Sequence, residues 1–182
     1  MDPASLARAL GDVTVALMNG HGAGAGVVWA PDWVVTNAHV APHAEVTVPR
    51  LGRERLEGRV IARDQEADLA LIHVPGLGLP RATLGAREPP PVGSLIVAVG
   101  HPFGVRGALT TGIVHAIGPL VPRGRWWIQA DLRLAPGNSG GPLADARGRV
   151  LGINAMIVGT LALAIPVSEV MAFVRAAGVS IE

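Results

Sequence analysis

Ser139 sits in the stretch RLAPGNSGGPL, residues 133 to 143, a serine among glycines with a proline near each end. Glycines this dense suit three chemistries: cradling a phosphate, opening a nucleophile elbow, or shaping the backbone around the serine of a His–Asp–Ser triad. A phosphate loop needs a following helix whose N–H groups converge on the anion. Here PLADARGRVLGIN follows, which reads as strand, turn, strand, and the chain has no Lys. The elbow pattern Gly137, Ser139, Gly141 requires its histidine after the serine. All six histidines, His21, His39, His43, His73, His101 and His115, precede it.

The third chemistry remains. WVVTNAHV ends a run of strand-forming residues at His39, and ADLALIHV begins one at Asp68. A serine hydroxyl is a weak nucleophile until a neutral imidazole takes its proton. An aspartate behind the imidazole fixes its tautomer and stabilises the imidazolium. His39 is therefore the expected general base, Asp68 its orienter and Ser139 the nucleophile. The loop Gly137, Asn138 and Ser139 is the expected oxyanion hole, with the N–H groups of Gly137 and Ser139 as donors.

The elements that must position these groups are short. DVTVALM, GVVWA, WVVTN, EVTV, GRVIAR and DLALIHV are apolar runs of strand length, and SLIVAVG, ALTTGIVHAI, WWIQAD, VLGINAM and LALAIPV follow. Gly, Pro and Asp turns separate them, which predicts an all-β sandwich or barrel. GVVWAPDWVVTN reads as a hairpin turning at Pro31–Asp32. Residues 87–94, REPPPVGS, cannot continue a ladder or a helix and divide the chain into an N-terminal β-unit over 11–86 and a C-terminal one over 95–167. One helix is predicted, over 168–178, with Ser168 as its cap, an apolar stripe of Val170, Met171, Phe173 and Val174, and Gly178 as its stop.

Composition narrows the partners. With 182 residues, 49% of them hydrophobic, the chain suffices for one well-buried domain. A net charge of +1 gives no reason to expect nucleic acid. There is no Cys, hence no disulfide or thiol chemistry. His39 and His43 are four apart, but Pro42 disfavours the helix a metal pair needs, so neither a metal nor another cofactor is expected. Residues 150–167 are uncharged and of membrane-spanning length. Asn154, Gly152, Gly159, Thr160 and Pro166 break them into two buried strands, so no membrane insertion is expected. The start MDPASLARALGDVTV lacks the layout of a signal peptide, which points to the cytoplasm if the chain is full length. His101 in GHPFG reads as a turn residue, Asp131 as structural, and the Trp126–Trp127 pair as barrel packing.

TNAHV, DLALI and GNSGGPL, with GHPFG (100–104), TTGIVHAIG (110–118), IQADLRLAPGNSGGPL (128–143), GRVLGIN (148–154) and LALAIPV (161–167), occur in an order that resembles the HtrA/Deg branch of the trypsin-like serine proteases. The resemblance spans roughly residues 11–178. It implies an all-β fold of two packed six-stranded antiparallel β-barrels with a C-terminal helix. It also implies ATP-independent proteolysis of unfolded or misfolded proteins, as in protein quality control, and a homo-trimer as a possible assembly. Protein or peptide substrates are the expected partners. A trimmed chain of this family would belong outside the cytoplasm. Departures are the lack of room for the family's PDZ domain after the helix, and Arg133 and Ala135 ahead of the glycine. A substrate pocket is expected from Leu134, Ala135, Asn154, Ala155, Met156, Leu161 and Leu163, which predicts cleavage after aliphatic residues, with Arg133 facing outward. The rival reading is a catalytically silent protease-like fold that holds peptides or partner proteins.

Overall fold

The computed structural model describes residues 2–20, 22–50, 54–101 and 107–179. A helix, α1 (Pro3–Asp12), precedes the first barrel, which comprises β1 (Thr14–Met18), β2 (Ala23–Ala30), β3 (Trp33–Thr36), β4 (Glu45–Pro49), β5 (Arg55–Asp64) and β6 (Leu69–His73). The second comprises β7 (Leu95–Gly100), β8 (Ala108–Pro119), β9 (Trp126–Asp131), β10 (Pro142–Asp145), β11 (Val150–Val158) and β12 (Leu161–Pro166), and α2 (Val167–Ala176) closes the chain. Each set of six closes in the same antiparallel pattern, β1-β2-β3-β6-β5-β4 and β10-β11-β12-β9-β8-β7. Closure removes the open edges that would otherwise invite pairing with another chain.

The apolar runs lack clean alternation because several strands are covered on both faces. In β2 only Ala23 is exposed, and Leu69 to Ile72 of β6 are wholly buried. One face of such a strand fills its own barrel, as Val28 does with Val15, Val34 and Ile72. The other faces the second barrel. Val27, Trp29, Val35, Leu69 and Leu71 join Trp127, Ile153, Leu163 and Ile165 in one cluster that also takes Val167, Val170 and Val174 of α2. The two barrels and the helix thus share a core, which fixes how residues of one barrel face those of the other.

Two expectations about helices need correction. Helix α1 was not anticipated, although its start carries clear signals. Asp2 Oδ1 accepts from the N–H groups of Ala4 and Ser5, both at 3.1 Å, and Pro3 stands at the first turn. Leu6 and Leu10, one helical turn apart, then pack on Val97 and Val99 of the second barrel. Ser168 does not cap α2. The helix begins at Val167 directly after Pro166, whose fixed φ passes the chain from strand into helix with no side-chain cap. Gly178 follows the helix at φ +69°, a conformation that glycine adopts without strain.

Residues 150–167 form the hairpin β11–β12 and the first residue of α2. Among the described residues, no helix is long and apolar enough to cross a membrane.

Candidate active site

The three sequence-predicted residues lie on loops at the seam between the barrels. His39 follows β3 in a turn in which Val40 N and Ala41 N both donate to the Asn37 carbonyl, at 3.2 and 3.3 Å. The turn buries Asn37 and exposes His39. Asp68 precedes β6 and holds a left-handed φ of +51°, unusual for a residue with a side chain. That twist directs its carboxylate at His39. Nδ1 of His39 lies 2.9 Å from Oδ2 and 3.0 Å from Oδ1, and the His39 backbone N–H donates to Oδ1 at 3.1 Å. With Nδ1–H donating to the carboxylate, Nε2 keeps the lone pair and is free to act as a base.

Ser139 reaches this seam because glycines let two backbones meet. Ala25 N of β2 donates to the Ser139 carbonyl at 2.8 Å, and Thr36 Oγ1 at the end of β3 donates to the Ala25 carbonyl at 2.7 Å. Gly140 has φ +84°, and a Cβ there would overlap both Ala25 O and Thr36 Oγ1. A Cβ at Gly24 would press on both Val40, next to His39, and the Ser139 carbonyl. The β2–β3 hairpin is therefore the common support of His39 and Ser139.

Behind Ser139 the loop is pinned by its second-barrel neighbours. Asn154 does most of this: its carbonyl accepts from Gly140 N (2.8 Å), its N–H donates to Gly141 O (2.9 Å), and its Nδ2 donates to Pro142 O (2.9 Å). The Gly137 carbonyl accepts from His101 N at 3.0 Å. Ala135 O accepts from Asn138 N at 3.0 Å, closing a tight turn over Pro136–Gly137 with Gly137 at φ +105°. The N–H groups of Gly137 and Ser139 donate to no other group among the described residues. The Ser139 hydroxyl donates to the Ala155 carbonyl at 3.1 Å rather than to His39. That carbonyl is available because a bulge between Asn154 and Met156 takes Ala155 out of the β11–β12 ladder.

Residues 24–153 match the trypsin-like peptidase domain family. The chain belongs to that family. Over 134 residues it is 41% identical to a protein of Ectopseudomonas mendocina (strain ymp) named probable periplasmic serine endoprotease DegP-like, covering 72% of this chain and 28% of that one. A protein of the same name from Pseudomonas fulva (strain 12-X) is 38% identical over 158 residues, covering 81% and 33%. The trypsin-like domain thus spans about a third or less of the length of these curated relatives. Among solved structures it is similar to the Rv3671c protease of M. tuberculosis in an inactive form, with 29% identity, TM-score 0.84, and coverage of 98% of this chain and 97% of that one. It is also similar to an HtrA-type protease with a tripeptide, with 27% identity, TM-score 0.88, and coverage of 97% and 63%.

Several expectations for the trypsin-like domain's site need correction. Asn138 cannot donate to an oxyanion, since its N–H closes the turn on Ala135. Of the pocket residues, Ala155 and Leu163 are buried in the shared core, and the Asn154 side chain is occupied by Pro142. Met156 is exposed, while Leu134, Ala135 and Leu161 are half-buried. Leu134 instead lines an open depression of about 760 Å³ with Thr110, Thr111, Ile157, Thr160 and the exposed Arg133. His101 is not merely a turn residue, because it is buried and holds Gly137 by its backbone. Trp127 packs in the core, whereas Trp126 is exposed. Sequence reasoning missed Asn37 as a support: its Nδ2 donates to the Asp68 carbonyl at 3.1 Å. Only its place in TNAHV hinted at that role.

Proposed function

We propose that the chain is a serine endopeptidase domain in which His39 is the general base, Asp68 its orienter and Ser139 the nucleophile. The observation that carries the reading is the double contact of His39 Nδ1 with the Asp68 carboxylate, on a hairpin that also holds the Ser139 carbonyl. Ser139 Oγ attacks the substrate carbonyl carbon as His39 Nε2 removes its proton. The oxyanion is received by the unengaged N–H groups of Gly137 and Ser139, and the imidazolium returns the proton to the leaving amine. Water then repeats the sequence on the acyl-enzyme and frees Ser139. The hydroxyl rests on Ala155 O, so entry into the reaction requires that contact to be exchanged for one with His39 Nε2.

Substrates are proteins in extended or unfolded segments, in keeping with the endoprotease names of the relatives, and those names favour a periplasmic setting over the cytoplasm. Exposed Met156 and half-buried Leu134 and Leu161 favour an aliphatic residue before the cleaved bond. A panel of peptides varied at that position tests this, and a strong preference for Lys or Glu would refute it. Labelling with a fluorophosphonate tests the reaction itself. One adduct on Ser139, lost in Ser139→Ala and His39→Ala, supports the reading. The resting contact of Ser139 with Ala155 favours the rival, a silent fold that holds peptides. No adduct and no digestion of an unfolded protein would establish that rival.

A further inference from the structure

Asp68 is held in its left-handed conformation by three hydrogen bonds on the backbone around its Cα. Ala67 N donates to Asp64 Oδ1 at 2.9 Å, the Asp68 carbonyl accepts from Asn37 Nδ2 at 3.1 Å, and the Ala67 carbonyl accepts from Arg125 Nη1 at 2.6 Å. The φ angle of Asp68 is the rotation between the Ala67–Asp68 peptide plane and its own Cα–carbonyl bond. Holding Ala67 O fixes one side of that rotation and holding Asp68 O fixes the other. The direction of the carboxylate follows from both.

Asp64 and Asn37 belong to the first barrel, but Arg125 does not. It lies between β8 and β9 of the second, 58 residues from Ala67 in sequence. Its guanidinium is gripped on its far side by Glu169 of α2, with Nε–Oε2 at 3.0 Å and Nη2–Oε2 at 2.9 Å. Its Cζ lies over the Trp127 ring, 4.7 Å from the ring centroid. A planar fork donating in two directions while its charge lies over an indole is a task for Arg, since Lys offers a single point of charge.

We propose that Arg125, clamped by Glu169, is a positioning residue that aims Asp68 at His39. This rests on the reading of Asp68 as orienter. The second barrel and the C-terminal helix then set the geometry of the base, although both its members come from the first barrel. His39 has no other charged partner among the described residues, so the direction of the Asp68 carboxylate alone sets which ring nitrogen is held and where the ring points.

The test uses the full chain and the variants Arg125→Met, which keeps the stem over Trp127 but removes the donors, Arg125→Lys and Glu169→Gln. The second-order rate of fluorophosphonate labelling is followed between about pH 5 and pH 9, beside KM for a fluorogenic peptide and a thermal melt. Arg125→Met should slow labelling on the order of tenfold at neutral pH, displace the midpoint of the pH profile and leave KM within about twofold. Glu169→Gln should do the same more weakly, and Arg125→Lys should recover part of the rate. An unchanged midpoint, with labelling falling only as the folded fraction falls, would overturn the proposal and leave Arg125 a structural tie. If His39→Ala labels like the unmodified chain, the triad reading fails and the positioning role with it. If His39→Ala is inert while Arg125→Met keeps rate and midpoint, only the positioning role fails.

Discussion

Replacing Gly140 with alanine separates the role of the loop geometry from general stability. At φ +84° an alanine sits in the left-handed region, which costs roughly 1–2 kcal/mol. The larger effect is steric: its Cβ would stand under 3.0 Å from both Ala25 O and Thr36 Oγ1, a separation that real Cβ atoms essentially never show. Neither atom can yield freely. Ala25 O accepts the Thr36 hydroxyl, and Ala25 N holds the Ser139 carbonyl. The loop must therefore back away by about 1 Å, and a misplacement of that size at a reacting centre costs on the order of 10² in rate, equivalent to about 2.7 kcal/mol. Gly76→Ala is the matched control. Gly76 has a similar φ of +76° but nothing within 4 Å of the new Cβ, so it carries the strain without the clash. Both variants should melt a few degrees lower, about 2–4 °C for each kcal/mol in a chain of this size. Fluorophosphonate labelling should fall about a hundredfold in Gly140→Ala and stay unchanged in Gly76→Ala. Labelling of Gly140→Ala at the wild-type rate would refute the claim that contact with the β2–β3 hairpin positions Ser139.

Asp68→Asn keeps the shape of the proposed orienter but presents an amide where Nδ1–H now meets a carboxylate; labelling and peptide hydrolysis should drop on the order of 10⁴-fold, with stopped activity assays as the check. Leu10→Ala should cost about 2–5 kcal/mol in urea unfolding, because Leu10 is almost wholly buried between α1 and the second barrel; a loss under about 0.5 kcal/mol would mean that α1 is not docked there in solution. Asp145 is partly buried, which by itself raises its pKa. Hydrogen bonds from the Arg147 and Arg149 backbones and the Arg149 guanidinium outweigh burial and hold it below the ordinary carboxylate range. Its contribution is therefore present above the unfolded-state value, about 3.9, and disappears as pH falls through the lower folded value. Asp145→Asn should accordingly be less stable than the parent at neutral pH, and the two denaturation curves should converge in strong acid.

Much of the strand plan was legible because turns punctuate the chain chemically. Asp32 does sit in a left-handed turn between β2 and β3, and Gly159–Thr160 does divide the uncharged stretch into β11 and β12. His39, Asp68 and Ser139 could be singled out together because three short motifs, read in order, left the triad as the expected chemistry of a glycine-rich serine loop. Helix α1 was legible in Asp2, Pro3, Leu6 and Leu10, but ten residues of weak amphipathic pattern stand out less than the strands that follow them.

Other features had no local signature. Burial of Leu163 and Ala155 depends on a core that forms only when both barrels and α2 come together, since an apolar residue on a strand reads the same whether it faces a pocket or a neighbouring sheet. The resting partner of the Ser139 hydroxyl depends on a one-residue bulge in β11. The grip of Arg125 on Ala67 joins positions that only the packing of one barrel on the other makes neighbours. Residue types and their order determined which chemistry this chain can attempt. The tertiary structure decided which backbone groups are already engaged and what holds Asp68 in place, because hydrogen bonds between distant segments are set by packing and not by local pattern.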